Sequence, residues 1–105
     1  MERKIEDIIL DELNEVLQHY LIHAELETAA GETPATYRYI APVDEDQYDD
    51  PDKVIEYAMD SIKLNIKESC KKVADRFELR EVGISSVSSP DGSEIQIIIT
   101  GDIVK

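Results

Sequence analysis

Apolar side chains recur at helical spacing from about Glu2 to Thr28: Ile5, Ile9, Leu13, Val16, Leu17, Tyr20, Leu21 and Ala24. Wound at about 100° per residue they fill an arc of roughly 160°, which predicts one long helix buried along one side. Ile8, Ile22 and Leu26 fall outside that arc and form a thinner second stripe. A helix with two apolar sides needs either another layer of its own chain or a subunit contact, so these three are candidate oligomer contacts. Ala29, Ala30 and Gly31 close the pattern, Gly31 being suited to the left-handed position after a helix.

A second helical pattern runs from about Pro51 to Leu79. Ile55, Met59, Ile62, Ile66, Cys70, Val73 and Phe77 fall within roughly 80°, a narrow stripe facing one core. Tyr57 and Leu64 lie off it together. At 1.5 Å per residue this helix would be roughly 43 Å long, which suits an antiparallel pair with the first.

After Gly83 the period changes from 3.6 to 2. Val82, Ile84 and Ser86 alternate with polar neighbours, SSPDGSE makes a turn, and Ile95, Ile97, Ile99 and Ile103 share one face of a last strand. In that turn Pro90 suits the first central position, Asp91 the second, and Gly92 the positive-φ position that follows. In the middle segment, TYRYIAPV (Thr36 to Val43) offers a third strand with Tyr37, Tyr39 and Ala41 on one face, confined to an edge or ended by Pro42. The predicted fold class is α+β: one domain over residues 1–105, two long antiparallel helices packed on a small antiparallel sheet. That sheet holds the C-terminal hairpin and a third strand from the connecting segment 31–50.

The 105 residues, 42% apolar and 33% charged, suit a single globular domain with a modest core. No apolar run approaches the roughly 18 residues of a membrane span, and Glu6 and Asp7 interrupt the opening segment where a signal peptide would be apolar. Cys70 is the lone cysteine, which excludes an internal disulfide and a cysteine-rich zinc motif, so a cytoplasmic setting without membrane partners is expected.

Charge sharpens the picture more than composition does. The net charge is −13, and residues 1–60 hold 17 acids against four cations, whereas residues 61–105 hold seven of each. Such a field repels phosphates, disfavours direct nucleic-acid binding through that half, and attracts a basic surface.

Candidate chemistry is sparse. His19 and His23 stand i,i+4 on the expected first helix with Glu15 and Glu27 a turn to either side, a ribbon from which zinc takes two or three ligands. No further histidine completes a closed site, so the pair is a weak metal candidate, and no cofactor is expected. DEDQYDDPDK (Asp44 to Lys53) matches a calcium loop at Asp44 and Asp46, but the position that needs glycine is Asp49 and the one that needs glutamate is Ile55. Capping accounts for Asp50 before Pro51, with Asp52 facing the helix dipole, and leaves Asp44, Glu45, Asp46 and Asp49 over. Cys70 sits in the apolar stripe as a structural thiol, and the serines Ser85, Ser86, Ser88 and Ser89 have no histidine beside them. With no catalytic arrangement legible, a non-enzymatic role is expected.

Two functions remain. One is a small acidic interaction protein, an inhibitor or adaptor that imitates nucleic-acid charge and docks Asp7, Asp11, Glu15, Asp44, Glu45, Asp46 and Asp49 on a basic protein partner such as a nucleic-acid-processing protein. The other is a self-assembling structural component, of virion or scaffold type, that forms a homodimer or larger assembly through Ile8, Ile22 and Leu26, joined by the off-stripe Tyr57 and Leu64 and by pairing of the Ile-rich last strand across a subunit edge.

Overall fold

The computed structural model describes residues 3–30, 34–44, 46–47, 50–90 and 92–104. Helix α1 (Ile5–Leu17) runs into a 3-10 turn (Gln18–Tyr20) and strands β1 (Glu25–Ala30) and β2 (Ala35–Val43) follow. Helix α2 (Pro51–Lys72) then leads to β3 (Phe77–Ser89) and β4 (Gly92–Ile103). The chain is therefore an αββ unit followed by a second αββ unit. All strand pairs are antiparallel, in the order β1-β2-β4-β3, so each hairpin keeps to its own side of a seam between β2 and β4.

The architecture is α+β, as the periodicities indicate, with a four-stranded sheet in place of three strands. Alternation puts Tyr37, Tyr39 and Ala41 of β2 and Ile95, Ile97 and Ile99 of β4 on the buried face. Ile9, Leu13 and Leu17 of α1, with Val54, Ile62 and Ile66 of α2, close that face from above. The helices are antiparallel: Asn65 donates to the Glu12 carbonyl at 3.2 Å, while the Tyr20 hydroxyl at the far end of α1 donates to the Tyr57 carbonyl. A cross-layer bond ties helix to sheet, the buried Tyr39 hydroxyl donating to the Glu6 carbonyl at 2.8 Å.

The first helix is shorter than its apolar pattern predicts, and the stop is built from backbone hydrogen bonds that the pattern does not weigh. Leu21 is left-handed at φ 56°, the Ile22 N–H reaches the Leu17 carbonyl, and the Leu21 N–H reaches the Gln18 carbonyl, both at 3.1 Å. That is a Schellman closure, with buried Leu17 and Ile22 as its apolar contact. Glu25 to Thr28, expected to be helical, and Ala29 and Ala30, expected to close the helix, instead form the edge strand β1.

The second helix also ends early, at Lys72. Val73 and Phe77 keep their places in the core because the turn after α2 still bonds the Phe77 N–H to the Val73 carbonyl at 2.8 Å. Phe77 opens β3 and packs its ring on Tyr37 with centroids 5.7 Å apart. Strand β2 is central, contrary to the edge position expected from Pro42. Proline is tolerated there because β1 stops at Glu25 opposite Ile40, so no neighbour on that side needs the missing N–H.

The expected turn positions fit at Gly92, whose φ of 140° requires glycine, while Asp91 lies outside the described residues. Gly31 does too.

Candidate interaction surface

Because each αββ unit keeps to one side of the β2–β4 seam, the charge asymmetry of the sequence becomes an asymmetry in space. Residues 1–50, which build the first unit and the connection out of it, hold 14 acids against three cations, a balance of −11. Residues 51–105 hold ten acids against eight cations, a balance of −2.

On α1, Asp7, Asp11 and Glu15 recur every four residues on the side away from the core, Asp7 half-buried and the other two exposed. Arg3 pairs with Asp11 at 2.5 Å. Lys72, reaching from the end of α2, pairs with Glu12, and that hydrogen bond raises the pKa of the lysine. Glu25 and Glu27, which periodicity puts on the first helix, stand exposed on edge strand β1 instead.

The acidic loop divides by cause. Asp44 accepts the Asp46 N–H on its side chain at 2.9 Å and the Gln47 N–H on its carbonyl at 3.0 Å, so it shapes a turn as well as carrying charge. Asp50 caps α2 by accepting the Asp52 N–H at 2.9 Å, with Pro51 in the first helical position, as the sequence indicates. Asp52 also accepts a hydrogen bond from the Ser86 hydroxyl, which ties the start of α2 to β3. Asp46 is exposed without a capping role, and Glu45 and Asp49 lie outside the described residues.

The histidine ribbon does not form. His19 sits in the 3-10 turn, His23 follows the left-handed Leu21, and Glu27 is on a strand, so the i,i+4 spacing no longer aligns them. Among the described residues no group of three or more histidine, cysteine or acidic side chains is placed to hold a metal ion.

The candidate oligomer contacts are drawn into the chain's own fold. Ile22 is 5% exposed and completes the helix stop, while Ile8 and Leu26 are half-buried against the core. Once α1 ends at Leu17, the side that looked surplus faces inward. Among the described residues the large exposed apolar side chains are others: Leu21 at 74%, Tyr57 at 66%, Leu64 at 59% and Val104 at 41%. Tyr57 and Leu64 lie two turns apart on the outer side of α2. Their off-stripe position was legible in the sequence, whereas the exposure of Leu21 follows from a helix stop that periodicity misses.

Cys70 is a buried free thiol whose pKa burial pushes up to about 11, so it is protonated at neutral pH and a poor nucleophile. No helix among the described residues is long and apolar enough to cross a membrane. Comparison with protein-family models and with curated proteins gives no match.

Proposed function

We propose that the protein is a non-enzymatic interaction protein, an inhibitor or adaptor that docks its acidic αββ unit on a basic surface of a partner protein, such as one that processes nucleic acid. The observation that carries this reading is the concentration of the charge excess on one side of the sheet, −11 in residues 1–50 against −2 in the remainder. Acids gathered on one side produce a field that steers a basic partner and fixes its orientation, whereas acids scattered evenly would serve solubility alone. Asp11, Glu15, Glu25 and Asp46 are exposed and would form the contact, with Asp7 at its margin.

Tyr57 and Leu64 are exposed on α2 of the second unit, and the Tyr20 hydroxyl on the Tyr57 carbonyl holds that helix beside the first unit. The two side chains would therefore supply apolar anchors at the margin of the acidic surface, where charge gives on-rate and selectivity and desolvated groups most of the affinity. A cytoplasmic setting accompanies the reading, in keeping with the free thiol of Cys70.

Self-assembly is the weaker reading. Ile22 is consumed by the chain's own core, and a net charge of −13 opposes the approach of a second copy.

Mass spectrometry of proteins retained by the tagged chain at low salt tests the proposal. Basic proteins should be enriched, and the variant Asp11→Asn, Glu15→Gln, Glu25→Gln, Asp46→Asn should lose them. Equal recovery by both chains would overturn it.

A further inference from the structure

Strand β3 is an outer edge of the sheet, and along it runs a groove of opposite character to the acidic unit. A hollow of about 390 Å³ lies between α2 and the start of β3, floored by Cys70, Phe77 and Leu79 and rimmed by Lys67 and Lys71. A second hollow of about 280 Å³ continues it past Leu79 to Val82, rimmed by Lys63 and Lys67. The two share Lys67 and Leu79, so they form one trough beside an unpaired strand edge.

Lys63, Lys67 and Lys71 form a row at i, i+4 and i+8 on α2. Lys71 pairs with Glu68 at 3.2 Å, while Lys63 and Lys67 make no ion pair among the described residues. Successive lysines of such a row are about 6 Å apart along the helix. Alternate side chains of an extended chain are about 7 Å apart and point to one face. The row and a strand therefore keep step over three positions, and only an extended ligand can at the same time pair with the open backbone edge of β3.

Two acids also line the trough: Glu78 stands opposite Asp102 and, past the bulge after Leu79, Glu81 stands opposite Thr100. That puts both in step with the sheet face turned away from the helices, while Val82 stands opposite the buried Ile99. Arg80 is held by Asp102 at 2.7 Å. At physiological ionic strength the acidic unit beyond the seam is screened over about 8 Å, so a ligand at this edge senses chiefly the lysines.

We infer that the β3 edge and the Lys63–Lys67–Lys71 row form a docking site for an extended segment of a partner protein with glutamates at alternate positions. The segment adds a fifth strand to the sheet. Its glutamate stems cover the floor of the trough and their carboxylates meet the three lysines. The bulge between Leu79 and Glu81 interrupts the edge and guards it against unselective pairing. This site is separate from the acidic surface proposed above, and each stands without the other.

The test is titration of the intact protein, observed through backbone amide shifts, with a blocked nonapeptide that alternates glutamate and threonine. Shifts should concentrate at Leu79 to Ile84 and the lysine row. Lys63→Glu, Lys67→Glu, Lys71→Glu should weaken binding at least tenfold, while Lys67→Arg should leave it within about twofold. A peptide with lysine in place of glutamate should not bind, and methylating alternate backbone nitrogens on the strand-facing side should abolish binding. Equal binding of the glutamate and lysine peptides, or tolerance of the methylated backbone, would overturn the inference. So would an edge already filled by a second copy, revealed by a wild-type dimer that Lys67→Glu dissociates.

Discussion

The side-chain amide of Asn14 holds both backbone groups of Ala24, accepting its N–H at 2.7 Å and donating to its carbonyl at 3.2 Å. One residue of α1 thus imitates a strand neighbour, and the chain leaving the helix is turned back towards β1. Asn14→Ala leaves both groups of Ala24 without their partner in a partly buried setting, at a cost of about 1–3 kcal/mol. Urea denaturation of the two chains measures it. A loss below about 0.5 kcal/mol would mean that another contact holds the turn.

Leu21 occupies a left-handed position that favours glycine, with its side chain in solvent. Leu21→Gly is expected to stabilise the fold by about 0.5 kcal/mol, since relief of the left-handed strain outweighs the entropy that glycine adds to the unfolded chain. Leu21→Ala keeps the Cβ atom and should give no such gain. Thermal melts of the three chains separate these outcomes.

Gly101 has no room for a side chain. A Cβ atom there would stand 2.7 Å from Cε2 of Phe77 and closer still to its Cζ and to the Glu78 carbonyl. Part of that wall is backbone and cannot rotate away. Gly101→Ala should cost about 2 kcal/mol or more, read from the denaturation midpoint, whereas Gly83→Ala, with its nearest contact at 3.9 Å, should be far milder.

Alkaline pH should destabilise the fold in two stages. Burial raises the Cys70 thiol from 9.0 to about 11, so its contribution to stability is complete below about pH 9 and is lost as pH climbs to 11. At about 1.4 kcal/mol per pH unit, that interval removes about 2 kcal/mol. Tyr39, raised chiefly by burial and next by the Glu6 charge, acts in the same direction from about pH 10 upward. Stability against pH for Cys70→Ala should be nearly flat between pH 9 and 10, and an unchanged slope would refute the assignment.

Much of the fold is legible in periodicity because most of the core is periodic. The period-2 run Ile95, Ile97, Ile99 and the 3.6-period run Ile55, Ile62, Ile66 both lie buried where their patterns put them. Periodicity fails at Leu21 to Ala30, where Ile22, Ala24 and Leu26 also satisfy a helical spacing. There the hydrogen bonds of Asn14 and the closure at Leu17 decide the outcome, and neither is expressed in the spacing of apolar residues. The charge asymmetry was countable from composition, but its spatial meaning required the strand order, which keeps β1 and β2 together on one side of the seam. The lysine trough was not legible at all: Lys63, Lys67 and Lys71 read as a solvated helix face until β3 lies beside them.

The most direct test of the acidic-surface account is a salt titration of capture. The tagged chain, the acidic-unit variant Asp11→Asn, Glu15→Gln, Glu25→Gln, Asp46→Asn and the control Glu68→Gln, Glu81→Gln are each loaded with native extract at about 0.05 M salt and washed stepwise to about 0.5 M. The account predicts that the wild type and the control retain the same basic proteins and release them steeply as salt rises, while the acidic-unit variant retains none above background. Retention that ignores salt, or that survives neutralisation of the first unit, would contradict it.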